Sequence, residues 1–152
     1  MRLSPALPGF YQKRAYEAVW IDDNGNPRQA DQLVEAVKAS YYEGLSPEDY
    51  GLTQMEAVLA RVKSAGNKAD TADLAELDVL FSNSFLTYAN DIYYGQITPE
   101  QIDMELIFGE RRIDLGALMA KAASEGNVKE TLNGLFPQYP VYGKLRTALE
   151  RY

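Results

Sequence analysis

The side chains able to do chemistry in this sequence are carboxylates, tyrosines and one doubled arginine. Its 152 residues include no Cys and no His. That removes thiol nucleophiles, Ser-His-Asp triads and thiolate or imidazole metal ligands. A serine nucleophile would need a lysine base, and no Ser-x-x-Lys segment occurs: Ser40, Ser46 and Ser64 are followed three residues on by Glu43, Asp49 and Asn67, and Ser82, Ser84 and Ser124 by Phe85, Thr87 and Asn127. General acid/base chemistry is left to carboxylate pairs, of which Glu48 with Asp49 and Asp103 with Glu105 are the candidates. A glycosidase holds two carboxyls roughly 5 to 9 Å apart across a cleft. Neighbours in one helix do not face each other, and acids in a first turn serve the helix dipole. Both pairs therefore read first as solvated surface, and no catalytic, cofactor-binding or metal-ligating residue is assigned.

Asp22, Asn24 and Asn26 alternate like the oxygen ligands of a calcium loop, but Pro27 and Leu33 stand where such a loop needs Gly and Glu. A polar turn centred on Asn24-Gly25 explains them better. Tyrosine is abundant, at 11 residues, and pairs up as Tyr41-Tyr42 and Tyr93-Tyr94. Neighbours on a helix point about 100° apart, so one ring of a pair can be buried while the other is presented. Tyr41 and Tyr88 fall on apolar stripes and are expected in the core. Tyr42, Tyr93 and Tyr94 are candidate contact residues, since a tyrosine offers a flat apolar face with a polar tip to sugars or proteins. Arg111-Arg112 could clamp a carboxylate, although such a pair in an acidic chain also serves to neutralise its neighbours.

The elements that must position these residues read as helices. Hydrophobic residues make up 46% and charged ones 24%, as in an ordinary folded domain. The net charge of −7 repels phosphate backbones, so nucleic acid is not an expected partner. The longest uncharged helical stretch, 79–90, is about half of the ~20 residues a membrane span needs, so no membrane insertion is expected. The first residues lack the apolar core of a signal peptide, so the chain is expected either to be cytoplasmic or to be without its targeting segment. A short helix is expected over 7–17, then an extended arm near Trp20 reversing at Asn24-Gly25. Leu33, Val37 and Tyr41 predict a helix over 29–43 closed by Gly44. Ser46-Pro47 reads as a cap, and Thr53-x-x-Glu56 as a capping box opening a helix to about Ser64 with Met55, Val58, Leu59 and Val62 inward.

The longest helix should run over 71–94 on a stripe of Leu74, Leu77, Phe81, Phe85, Tyr88 and Ile92. A cap at Thr98-Pro99 begins a short helix or turn. Further helices are expected over 114–125, with Leu115, Leu118 and Met119 buried, over 128–135, and at the C-terminal end around Leu145 and Leu149. No alternating pattern predicts a sheet. The whole of 1–152 reads as one compact all-α, multi-helix domain with a small extended arm.

The ordered spacing Phe10-Tyr11-x-x-Arg14-x-Tyr16-x-x-x-Trp20, then Glu43-Gly44-Leu45-x-Pro47-x-Asp49-Tyr50, Phe85-x-x-Tyr88, Tyr94-Gly95, Pro99 and Pro137-Gln138-x-Pro140-x-Tyr142-x-x-Leu145 resembles a known family. It is similar to the N-terminal scaffold domain of large bacterial L,D-transpeptidases, periplasmic enzymes that cross-link peptidoglycan. The resemblance covers about 7–152. Members carry a catalytic domain with a histidine and a Ser-x-Gly-Cys nucleophile segment, and typically a peptidoglycan-binding module. Neither matches any part of this chain, so no catalytic residue carries over. The resemblance implies an excised domain or a protein without its catalytic half, in the periplasm, needing no cofactor. Its expected partners are the catalytic and peptidoglycan-binding domains of a longer protein, with peptidoglycan or cell-wall synthesis proteins as further contacts. Competing expectations are a carboxylate-dependent glycan hydrolase and a cytoplasmic helical adaptor.

Overall fold

Thr71–Tyr94, twenty-four residues without glycine or proline, form the helix around which the other elements are arranged. In this computed structural model, residues 1–95, 113–136 and 140–152 are described. Their helices are α1 (Leu7–Lys13), α2 (Ala30–Ala39), α3 (Leu52–Ala65), α4 (Thr71–Tyr94), α5 (Leu115–Glu125), α6 (Val128–Asn133) and α7 (Pro140–Glu150). Short 3-10 turns at Ser40–Glu43, Pro47–Tyr50 and Gly66–Lys68 join some of them. Among the described residues there is no strand, only an isolated antiparallel bridge between Ile21 and Pro27. The protein is a compact all-α domain.

α4 begins where Asp70 accepts the Ala72 amide at 3.2 Å, and ends at Gly95. Its expected stripe is the core: Leu77, Phe81, Phe85, Tyr88 and Ile92 are buried, and Leu74 is partly buried. α1, α2, α3 and α5 pack around it. Ser82, Asn83, Ser84, Leu86, Thr87 and Ala89 are buried as well, so the middle of α4 is enclosed on nearly every side. From α3, Met55, Val58, Leu59 and Val62 enter the same core. The extended arm near Trp20 is present: Gly25, at φ 80°, turns the chain, and Trp20 is fully buried with its ring 6.0 and 6.2 Å from those of Phe81 and Phe85.

Several local expectations need correction. α1 stops at Lys13 because Ala15 and Tyr16 both adopt the left-handed conformation, at φ 53° and 62°. Two such residues in succession oppose the steric preference of side-chain-bearing residues, and here they swing the chain back toward α4. Tyr41 is 67% exposed rather than core. The α-helix gives way to 3-10 geometry at Ser40, and it is Ser40, three residues after Val37, that continues the buried face.

The capping box at Thr53 does not form, since Thr53 lies inside α3. Its hydroxyl and amide are instead bound by Glu48 at 2.7 and 3.5 Å, while Glu56 pairs with Lys38. Ser46 precedes a 3-10 turn and makes no side-chain cap. In α5, Met119 is buried but Leu115 and Leu118 only partly. α6 ends at Asn133, and on α7 Leu145 and Leu149 are exposed. The turn expected at Thr98-Pro99, the Asp103/Glu105 pair and Arg111-Arg112 lie outside the described residues.

Candidate functional site

Two carboxylates are buried in α4, and they sit in opposite circumstances. Asp78 is saturated. One carboxylate oxygen accepts the backbone amides of Val19 and Trp20 at 2.8 and 2.7 Å, and the other accepts the Tyr11 hydroxyl at 2.5 Å. Ser82, one turn along, lies 2.8 Å from the Tyr11 hydroxyl and accepts the Trp20 indole N–H at 3.1 Å. Burial, and after it the bond to Asp78, push the Tyr11 phenol well above the usual tyrosine range. This cluster fastens α1 and the Trp20 arm to α4. With its oxygens engaged by fixed donors, Asp78 is built to hold structure.

Asp91 is incompletely satisfied. Its Oδ2 accepts the Tyr50 hydroxyl at 2.9 Å and pairs with the Arg2 guanidinium. Its Oδ1 and the Thr87 hydroxyl, one helical turn away, are buried with no hydrogen-bond partner among the described residues. Buried polar atoms are rarely left so. Residues 1–4 reach this end of α4 because Asn83 grips their backbone, accepting the Ser4 amide at 2.7 Å and donating to the Arg2 carbonyl at 2.8 Å. Arg2, Thr87 and Asp91 line a cleft of about 390 Å³ whose other walls include Pro5, Leu86 and Leu115. Next to it, a groove of about 560 Å³ shares Pro5, Ala6, Asn90 and Leu115 and adds Lys13, Arg14 and Tyr94. Arg14 is committed there, stacked over Phe10 at 5.5 Å and bonded to the carbonyls of Glu17 and Ala18. A separate, mostly apolar groove of about 510 Å³ runs along Leu74, Ala75 and Val79, rimmed by the exposed Tyr16.

The expected contact tyrosines fall in two places. Tyr42 is 42% exposed on the 3-10 turn after α2, its ring edge-on to Tyr41 at 5.7 Å. Tyr93 and Tyr94 are half-buried at the end of α4, edge-to-face at 4.7 Å, and the Tyr94 hydroxyl accepts the Ile113 amide at 3.1 Å. Of the expected contact residues that are described, the structure thus brings Tyr94 alone to the groove beside Asp91. Glu48 and Asp49 are exposed, and Glu48 serves α3 as described. Asp22 turns its carboxylate inward, accepting the amides of Asn24 and Asn26 at 2.9 and 2.8 Å. These amide bonds, Asn26 foremost, hold its carboxyl below the usual range. No cluster of three potential metal-ligating side chains exists among the described residues, and no described helix is long and apolar enough to cross a membrane.

Asp78, Asp91 and Thr87 were not legible as site residues, because a polar residue in a helix reads first as solvent-facing. The available signal was their place inside an otherwise apolar stretch, Asp78 next to Leu77 and Thr87 next to Leu86. A family model described as Scaffold domain matches residues 5–149. No curated protein and no solved structure matches the chain.

Proposed function

Because the chain belongs to the Scaffold domain family, we propose that this non-catalytic scaffold serves an L,D-transpeptidase, supporting or positioning its catalytic domain during peptidoglycan remodelling in the periplasm. The observation that carries the scaffold role is the family match over 5–149. The ordered Tyr, Trp, Gly and Pro spacings, which resemble the scaffold domain of those enzymes over the same span, supply the transpeptidase context. The acid-rich surface and the absence of Cys and His from the sequence agree with a supporting part, since acyl transfer from a peptide stem needs an activated nucleophile.

The test has two arms. The coding region around this chain should contain, in the same frame, a histidine and a Ser-x-Gly-Cys segment; a frame that lacks them removes the transpeptidase context. The purified chain, incubated with tetrapeptide-bearing muropeptides, should yield no cross-links by mass spectrometry. Cross-links that scale with protein concentration and survive repurification would overturn the supporting role.

A further inference from the structure

Three residues that line the cleft at the end of α4 carry two acceptors and a cation. Asp91 Oδ1 and Thr87 Oγ1 are both buried and unpartnered among the described residues, and each belongs to a residue lining the cleft. The Asp91 side chain is 1% exposed, and the Arg2 side chain that pairs with its other oxygen is 56% exposed. One guanidinium has five donors in a planar fork, so pairing with Oδ2 leaves further donors on a residue that lines the cleft. Two acceptors one helical turn apart call for a ligand group with several N–H donors, and the guanidinium beside them calls for a carboxylate. Leu86, Leu115 and Pro5 supply apolar walls. A volume of about 390 Å³ is near the small end of ligand pockets, which run from about 300 to 1,000 Å³.

We propose that this cleft binds the zwitterionic head of a free α-amino acid with an aliphatic side chain. The ammonium donates to Asp91 Oδ1 and Thr87 Oγ1, the carboxylate sits on Arg2, and the side chain lies against Leu86, Leu115 and Pro5. Binding satisfies two orphaned acceptors whose burial otherwise costs free energy. It also tightens the hold of residues 1–4 on α4, because Arg2 then bridges two carboxylates. The inference stands on the cleft alone and does not depend on the transpeptidase reading.

The test is an amide-resolved NMR titration of the full chain with L-leucine, N-acetyl-leucine and leucinamide. Leucine should give saturable shifts centred on Leu86, Thr87 and Asp91 with Kd of about 1 mM or tighter, and each blocked derivative should bind at least about tenfold more weakly. Arg2→Gln and Thr87→Val should each weaken leucine by about tenfold. Thr87→Val removes an unpaired hydroxyl, so its thermal midpoint should hold or rise and the binding loss can be read on a folded protein. The proposal is overturned by the absence of any saturable response at about 20 mM leucine, by blocked derivatives that bind as well as leucine, or by Thr87→Val binding unchanged.

Discussion

Asp78, which has no ion pair among the described residues, is held by neutral donors, the Val19 and Trp20 amides and the Tyr11 phenol. Removing its side chain orphans the two amides, while the Tyr11 hydroxyl keeps the backbone carbonyl of residue 78 at 3.0 Å and Ser82 at 2.8 Å within reach, and each unsatisfied buried donor costs about 1 to 3 kcal/mol. Asp78→Ala should therefore lose about 2 kcal/mol or more in urea unfolding, whereas Asp49→Ala, on the surface, should stay within about 0.5 kcal/mol. A loss below about 1 kcal/mol at Asp78 would mean that water replaces the donors' partner without strain.

Tyr11 extends the argument to pH. In the unfolded chain its phenol ionises near about pH 10, while in the fold it keeps its proton to higher pH. Above about pH 10 the folded state thus holds a proton that the unfolded state has released, so stability is intact below that pH and falls as pH rises. Tyr11→Phe should be less stable at neutral pH and show a flatter alkaline decline. An equal slope in both proteins would remove Tyr11 from the account.

At the scale of elements, the junction of α1 with α5 depends on a residue having no side chain. A Cβ on Gly116 would lie 2.7 Å from the Phe10 ring. Gly116→Ala gains about 1 kcal/mol of helix propensity, but overpacking costs about 1 to 3 kcal/mol. The ring is also held by its contact with Arg14 and by the edge of Tyr11 at 5.3 Å. The net expectation is a destabilised variant with altered amide shifts around Leu115, and a stabilised variant would show that Phe10 yields freely.

Elements were also the most legible part of the sequence. α4 was readable to its ends because its stripe recurs at steps of three and four and Gly95 stops it. α3 was readable from four inward residues. Tyr41 was misjudged because the apolar spacing continues across the point where the backbone changes period. The early end of α1 was hidden because nothing in Ala15-Tyr16 announces left-handed geometry. The Asp91 cleft was out of reach for a different reason: it is assembled from Arg2 and Thr87, far apart in the chain, and no local pattern encodes that meeting.

Over the whole molecule, the apolar surface is not all enclosed. The core is continuous from Leu7 to Leu132, but Leu145 and Leu149 on α7 are 60% and 46% exposed. Among the described side chains of α7, Arg146 pairs with the nearly buried Glu43 at 2.8 Å. Leu145→Gln with Leu149→Gln should therefore change the stability of this chain by less than about 1 kcal/mol in chemical denaturation. A loss of about 2 kcal/mol or more, comparable to emptying a core site, would place these leucines against the body of the domain.

The fastening of the Trp20 arm to α4 also sets a schedule for synthesis. The partners that bury Trp20 are Asp78, Ser82, Phe81 and Phe85, and the Trp20–Asp78 bond spans 58 positions of the chain. On a ribosome moving at about 5 to 20 residues per second, the indole waits roughly 3 to 12 s for that partner to be made, and longer for it to clear the exit tunnel. During that interval the side chains that α1 and the arm send into the core, Leu7, Tyr11, Val19 and Trp20, have no α4 to pack against. Within this domain, the stretch made earliest thus waits longest for its packing partners.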